Sequence, residues 1–375
     1  MTNIVSFPAL GLEFNVHPVA FSIGGLHIYW YGIIIAAAFG LALLYCMPRA
    51  KKLGLNADRV VDVVIAGTIG GVVGARVYYV IFAWEEFADD LSRIFRTWEG
   101  GMAIYGGLIG AVALGLAMAK LRHVKAMPML DLAASGFLIG QGIGRWGNFI
   151  NQEAFGSNTT LPWGMTSSNV VNYLSDRVSA LEGIGVTVDP YAPVHPCFLY
   201  ESIWCLVGVL VLHLYTRHRK FDGELFCLYL GWYGLGRAVI EGLRTDSLML
   251  GTMRVSQLLS ILLVIVAVVF IVSRRMRIRR SGDPELATLY VDTQESKDML
   301  SGAYDEAEKA RKAAKKAEGD SQEKAEETPA ETETEEADPA GETREGEATE
   351  AETPQEEAPE DAAEEENEKR ENPEE

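Results

Sequence analysis

The sequence has 375 residues and a formal net charge of −19 at pH 7, values typical of an acidic soluble protein with two or three domains. The distribution of charge excludes that class: residues 281–375 hold 34 acidic and 10 basic side chains, whereas residues 1–280 hold 18 and 23. Residues 1–280 are therefore mildly basic, and their long uncharged apolar runs are typical of a membrane protein. The four cysteines form no CxxC pair and no Cys/His ligand pattern, so we expect no zinc site and no disulfide framework. We also expect no other metal and no cofactor.

The apolar runs predict an all-α polytopic membrane protein with about seven transmembrane helices. About 20 apolar residues are needed to cross the hydrocarbon core as a helix. Seven segments meet this length approximately, at residues 28–47, 63–83, 102–119, 130–150, 198–216, 225–243 and 255–273. No basic leader with a cleavage site precedes the first segment, which we interpret as a retained helix. Residues 1–280 thus form a membrane-embedded body.

The basic residues between these segments predict the orientation of the chain. They concentrate in the connections after segments one, three and five and after segment seven, and they are sparse in the alternate connections. Since cytoplasmic loops are enriched in Lys and Arg, the N-terminus is predicted to lie outside and the C-terminus in the cytoplasm. The long connection 151–196 is then external, either as a small folded cap or as an arm that controls substrate access.

The acidic segment 281–375 contains no Trp, Phe or Cys. Such a composition cannot bury enough apolar surface to offset the loss of chain entropy, so we expect a disordered cytoplasmic tail. A short charged helix around 283–319 is compatible with the pattern. The tail is either a solvated extension or a docking arm for basic partners.

Polar side chains occur inside the apolar segments, where they are costly and often functional. With the predicted orientation, they fall in one layer near the outer face. The layer includes Tyr31, Arg76, Tyr105, Arg145, Asn148, Asn151, Glu201, Arg237, Glu241 and Arg244. Each of these residues could instead have a purely structural role. For example, Arg237, Glu241 and Arg244 are spaced to neutralise one another on a single helix face. Arginines at this depth also suit a phosphate, which a guanidinium binds with paired charge-assisted hydrogen bonds. The layer therefore indicates a phospholipid headgroup site open to the outer leaflet.

The run Gly144-Arg145-Trp146-Gly147-Asn148-Phe149-Ile150-Asn151-Gln152-Glu153, followed by Gly156, resembles the signature of the bacterial prolipoprotein diacylglyceryl transferases. Companion motifs occur in the same order, at 30–32, 74–79, 101–110, 195–201 and 233–244, and the resemblance covers roughly residues 20–275. It implies an enzyme of the bacterial cytoplasmic membrane. Its expected reaction moves the diacylglyceryl group of phosphatidylglycerol to the lipobox cysteine of an exported prolipoprotein, releasing glycerol 1-phosphate. Membrane lipid and prolipoprotein signal peptides are the implied partners, and no nucleic acid is expected.

The resemblance also implies roles for individual residues. Arg145 and Arg237 would bind the phosphate and stabilise the leaving group, since fixed positive charge is needed there. The remaining substrate-binding residues would be Tyr31, Arg76, Asn148, Asn151, Glu153, His195, Tyr233, Glu241 and Arg244. The nucleophile is the substrate's thiol, so no cysteine of this chain need be catalytic.

Tyr105 departs from the family pattern, in which many members have a histidine proposed as the base. A tyrosine with a pKa near 10 is a poor base at neutral pH, although it can donate a hydrogen bond. We expect the arginine-rich field to activate the thiol, assisted by Tyr105 or Glu153. The alternative function is a transporter or flippase for an anionic lipid or metabolite. A transporter would place its polar groups near the midplane and show internal repeats.

Overall fold

The computed structural model describes residues 4–183, 187–245, 249–250 and 253–326. The part of the predicted tail from 327 to 375 lies outside the described residues. Eleven α-helices and seven short strands occur in the described part of the chain. The helices are α1 Trp30–Ala50, α2 Ala57–Phe82, α3 Ile104–Leu121, α4 Ala126–Asn151, α5 Ser168–Gly183, α6 Cys197–Tyr215, α7 Glu224–Glu241, α8 Val255–Ser281, α9 Pro284–Ala287, α10 Gln294–Ser301 and α11 Ala303–Glu326.

A helix occupies each of the seven predicted membrane segments. Six of these helices, all except α7, are long and apolar enough to cross a membrane, which confirms an all-α polytopic membrane protein. The 18 residues of α7 include Glu224, Arg237 and Glu241, so its composition alone does not mark it as a span. A seventh crossing and the orientation of the termini stay predictions.

Small residues allow close packing between the membrane helices, as in other helix pairs that associate in lipid. α2 and α3 pack along Gly70 and Gly74 on one side and Gly106 and Gly110 on the other. A Cβ atom added at Gly70 would lie 2.8 Å from Cβ of Leu114, so no larger residue fits there. α4 packs against α1, α6 and α7. Predicted site residues lie on α1, α4 and α7, and α4 contacts both of the other two helices.

A reciprocal tryptophan pair joins α6 to α7. The indole Nε1 of Trp204 donates to the carbonyl of Trp232 at 2.8 Å, and Nε1 of Trp232 donates to the carbonyl of Trp204 at 2.9 Å. The two rings stack with centroids 4.3 Å apart. Both indole N–H groups are therefore satisfied in an apolar setting, and the rotation of α6 relative to α7 is fixed.

The N-terminal segment and the long connection form a small folded cap. Strands β1 Ile4–Phe7, β2 Leu12–Asn15 and β5 Thr166–Ser167 make an antiparallel sheet in the order β2-β1-β5. β3 Val19–Ile23 pairs with β4 Leu26–Tyr29, and β6 Met249–Leu250 pairs with β7 Met253–Arg254. The sheet and α5 share a core that includes Val5, Met165, Val170, Leu174 and Val194. Of the two readings of residues 151–196, the structure supports a folded cap.

The first part of the predicted tail is folded, so the expectation of disorder directly after Ser281 is wrong for residues 284–315. Ser296 is buried, and its Oγ donates to the carbonyl of Gly54 at 2.9 Å. The backbone N–H of Tyr290 donates to Oδ2 of Asp222 at 2.7 Å, and Nζ of Lys125 lies 3.0 Å from Oε2 of Glu295. The prediction failed because the composition was averaged over the whole tail, and this average does not reveal the few apolar side chains, such as Tyr290, that are buried here. We call residues 284–315 the docked extension; the described residues 316–326 belong to a second unit.

Gly54 lets the docked extension approach the connection between α1 and α2. Its φ of +79° is in the left-handed region, and an added Cβ atom would lie 2.7 Å from the Cα atom of Val291. We expect Gly54→Ala to release the docked extension, measured as at least about fivefold faster limited proteolysis within 284–315 at near-native membrane-body stability. Gly25→Ala is the matched control, because Gly25 has a φ of +85° but no neighbour within 4 Å of an added Cβ. A Gly54→Ala digest that matches wild type would contradict this role.

Candidate active site

Three helix ends bring the predicted polar residues together. Arg145 and Asn148 lie in the last two turns of α4, Glu201 lies in the second turn of α6, and Arg237 and Glu241 lie in the last turns of α7. These ends meet because α4, α6 and α7 pack pairwise against one another. The cap residue Phe155 follows α4 by four residues and Val194 precedes α6 by three, which places the cap at this same end of the helices.

Glu201 is the centre of a buried ion-pair network. One carboxylate oxygen of Glu201 accepts from the guanidinium of Arg237, and the other pairs with Nε of Arg145. Arg237 also pairs with Glu241, with NH2 and Oε2 2.6 Å apart. Glu201 and Glu241 are only 4% and 2% exposed, so the buried negative charge of each carboxylate has to be stabilised by the arginines that pair with it. We call these four residues the Arg–Glu network.

A second set of hydrogen bonds extends the network to the end of α4. Arg145 donates from NH1 to Oδ1 of Asn148 at 3.3 Å, and Asn148 donates from Nδ2 to Oε1 of Glu153 at 2.9 Å. Asn151 donates to the same oxygen at 3.3 Å. The chain turns back because Gln152 adopts a left-handed conformation with φ of 54°, which returns Glu153 toward the helix end. A continuous polar path therefore runs from Glu153 to Glu241.

The remaining site residues that reach this region line its edge. The ring of Tyr31 packs on Gly147, where an added Cβ atom would lie 2.6 Å from Cδ2 of the ring. Tyr233 is one helical turn before Arg237 on the same face of α7 and stacks on Tyr229. Arg244 follows α7 and forms a β-bridge with Gly156 of the signature segment.

His195 lies between the cap and α6. Its Nδ1 is 3.1 Å from the hydroxyl oxygen of Tyr200, which also accepts from Nε1 of Trp163 at 2.8 Å. Burial lowers the pKa of His195 below its ordinary value, because desolvation favours the neutral imidazole. Its carbonyl accepts from the backbone N–H of Gly156 at 2.9 Å, which fixes the signature segment against α6.

Two predicted site residues are not brought to the network. The guanidinium of Arg76 donates to the carbonyls of Ile94, Gly100 and Gly101 at 2.7 to 2.8 Å, and also to that of Arg93. Arg76 thus organises the connection between α2 and α3. Tyr105 is the second residue of α3 and 68% of its surface is exposed; no hydrogen bond joins it to the Arg–Glu network in the described part of the chain.

Sequence reasoning placed Glu201 in the polar layer but gave it no role in the site. Its signal is an acidic residue inside an otherwise apolar helix, four residues before Cys205. Gln152 was also missed: its side-chain oxygen and nitrogen are buried without a hydrogen-bond partner within the described residues. It lines a cavity of about 360 Å³ together with Glu153 and Thr245, whose hydroxyl is likewise buried and unpartnered there. Over the residues described, no cluster of three or more His, Cys, Asp or Glu could hold a metal ion.

The fold and the site together define a helical, multi-pass membrane protein with buried arginine and glutamate side chains at one end of its helices. A sequence model of the family described as prolipoprotein diacylglyceryl transferase matches residues 18–273. The chain is 40% identical over 263 residues to a Bacillus velezensis protein named phosphatidylglycerol–prolipoprotein diacylglyceryl transferase, covering 70% of this chain and 93% of that protein. A Staphylococcus aureus protein with the same name is 41% identical over 270 residues, covering 72% and 93%.

This chain belongs to the prolipoprotein diacylglyceryl transferase family, and it is a transferase. The matched region ends at residue 273, so the docked extension lies beyond it.

Proposed function

We propose that the protein transfers the diacylglyceryl group of phosphatidylglycerol to the lipobox cysteine of prolipoproteins, at the outer leaflet of the bacterial cytoplasmic membrane. The observation that carries the proposal is the pair of arginines, from α4 and α7, held together by the buried carboxylate of Glu201. Two guanidinium groups at one point suit a phosphate with several charged oxygens. The family relationship supports the choice of substrates.

The formal charge of the site in the absence of substrate is not positive. Arg145 and Arg237 are opposed by Glu201, Glu241 and Glu153. A phosphate must therefore compete with Glu201 for the same donors. We propose that the arginines exchange partners: they turn from Glu201 to the phosphate when the lipid binds, so that their positive charge is available to the leaving group.

This exchange gives Glu201 a chemical role. Once Arg145 and Arg237 have turned to the phosphate, both carboxylate oxygens of Glu201 are released from their ion pairs. Glu201 can then accept the proton of the substrate thiol. In the complete step, a bond forms between sulfur and the glyceryl carbon, the bond from that carbon to the phosphate oxygen breaks, and glycerol 1-phosphate departs with the electron pair. The arginines stabilise the charge that develops on that oxygen.

One assay tests the function and separates it from transport of an anionic lipid. Purified protein is incubated with phosphatidylglycerol and a synthetic peptide that carries a lipobox cysteine. We expect a thioether-linked diacylglyceryl peptide and an equal amount of glycerol 1-phosphate. A peptide with serine in place of the cysteine is the control. Movement of lipid between leaflets without release of glycerol 1-phosphate would support the transporter instead.

Tyr105→Phe should retain activity. The hydroxyl of Tyr105 is on an exposed side chain at the start of α3, and Glu201 supplies a carboxylate within the network. We expect the rate of transfer to stay within about threefold of wild type, since no proton transfer depends on this hydroxyl. A 100-fold loss in a folded Tyr105→Phe variant would instead assign proton transfer to Tyr105.

A further inference from the structure

A basic cavity lies at the end of the helices opposite the candidate active site. Arg49 is 18 positions after Tyr31 on α1, about 27 Å along the helix axis, which is close to the thickness of the hydrocarbon core. Here the ends of α1 and α6 enclose a cavity of about 380 Å³. Its basic lining residues are Arg49, Lys52, His213, Arg217 and His218, and we call it the basic pocket.

Contacts with Tyr45 and His213 hold the guanidinium of Arg49 in place. Its NH1 donates to the carbonyl of Tyr45 at 2.7 Å, and its guanidinium lies 3.5 Å from the centre of the Tyr45 ring. The hydroxyl of Tyr45 is 3.0 Å from Nδ1 of His213, and NH2 of Arg49 is 3.3 Å from the same nitrogen. The Nε of Arg49 is buried and has no hydrogen-bond partner among the described residues. A buried donor without a partner is unusual and suggests an absent acceptor.

Three cations of the basic pocket differ from neighbouring cations in their counterions. Elsewhere at this end of the helices, Arg122 pairs with Asp62 at 2.6 Å, Arg275 pairs with Glu224 at 2.6 Å, and Arg59 pairs with Asp305. In contrast, Arg49, Lys52 and Arg217 form no ion pair with any residue that the structure describes. Their charge is therefore available to a ligand.

Among the described residues, Asp131 supplies the one carboxylate of the pocket wall, and both of its oxygens already accept hydrogen bonds. Asp131 is 1% exposed, and its two oxygens accept from the backbone N–H groups of Gly223 and Phe226 at 2.8 and 2.9 Å. These are donors at the start of α7, so Asp131 acts as a cap for that helix. It offsets part of the positive charge but does not pair with Arg49 or Arg217.

We propose that the basic pocket binds a phosphate group at the membrane surface opposite the candidate active site. Arginine forks bind phosphate oxygens with charge-assisted hydrogen bonds, and the pocket is large enough for a phosphate with its substituents. The phosphate can belong to the headgroup of an anionic phospholipid in the facing leaflet or to a free phosphate ion. The proposal depends on the contacts of this pocket and not on the transferase mechanism.

The test compares full-length wild-type protein with Arg49→Gln/Arg217→Gln. Arg277→Gln/Arg279→Gln is the matched control, since it removes the same charge from exposed positions at the end of α8 outside the pocket. Phosphatidylglycerol bound to each detergent-solubilised protein is counted by native mass spectrometry over a lipid titration. Inorganic phosphate is titrated separately in a thermal unfolding assay, with chloride at equal ionic strength as the reference. Transfer to a lipobox peptide reports on the other site.

We expect the pocket variant to bind one fewer phosphatidylglycerol tightly, or to lose the stabilisation by phosphate, with an affinity at least about tenfold weaker than wild type. The control variant should match wild type in both titrations. Loss in the lipid titration alone identifies a headgroup site, and loss in the phosphate titration identifies a free anion. The proposal is overturned if the pocket variant binds both probes like wild type, or if the control loses as much. If the pocket variant does not fold, Lys52→Gln/His218→Gln, at two exposed positions, replaces it under the same criteria.

Discussion

Replacing Arg237 by alanine should lower the rate of diacylglyceryl transfer at least about 100-fold, and Arg145→Ala should have an effect of the same order. Each substitution removes a guanidinium that we assign to the leaving phosphate. Each also leaves Glu201 with only one cationic partner. The measurement is the rate of glycerol 1-phosphate release from phosphatidylglycerol with a lipobox peptide, on protein shown to be inserted and folded.

Arg76→Ala is a useful comparison for this experiment. Arg76 donates to the backbone of the connection between α2 and α3, so its loss should reduce stability more than it reduces the turnover of the folded fraction. Normal turnover in both Arg145→Ala and Arg237→Ala would refute the assignment of the site.

Glu201→Gln should have the second large effect. The glutamine keeps the shape of the side chain but cannot carry the charge that Arg145 and Arg237 share. Removing one member of a buried ion pair typically costs about 3–5 kcal/mol in the free energy of unfolding, so a lower midpoint of thermal unfolding is expected. We also expect kcat to fall at least about 100-fold, because the proton acceptor is lost.

The kinetic signature separates the chemical role of Glu201 from a structural one. Loss of the base should lower kcat, while the KM for phosphatidylglycerol stays near or below the wild-type value. The reason is that Arg145 and Arg237 no longer have to break their ion pairs with Glu201 before they bind the phosphate. A structural defect would instead raise KM for phosphatidylglycerol. Glu153→Gln, which alters a carboxylate outside the ion pairs, is the comparison.

The membrane helices and part of the polar layer could be predicted because both depend on local features of the sequence. Length and hydropathy identify α1, α2, α3, α4, α6 and α8 without knowledge of tertiary contacts. The spacing of Arg145, Asn148 and Glu153 places them at one helix end, and the structure joins them by hydrogen bonds. The small-residue faces of α2 and α3 likewise follow from spacing.

Contacts between elements could not be predicted in the same way. Whether Glu201 meets Arg145 and Arg237 depends on the rotation of α6 about its axis, which the Trp204–Trp232 pair fixes. The capture of Arg76 by carbonyls depends on the path of an irregular connection that hydropathy does not specify. The docked extension was missed because a few buried groups, such as Ser296, outweigh an acidic average over a long segment.

The docked extension has a consequence for how the molecule is assembled. It contacts Gly54 after α1, Lys125 after α3 and Asp222 after α6, which are three separate connections of the membrane body. Residues 284–315 leave the ribosome after every membrane helix, so these contacts form only when insertion of the body is complete. A protein shortened at Ser281 would therefore lack these contacts between the three connections, whereas one shortened after residue 315 would retain them.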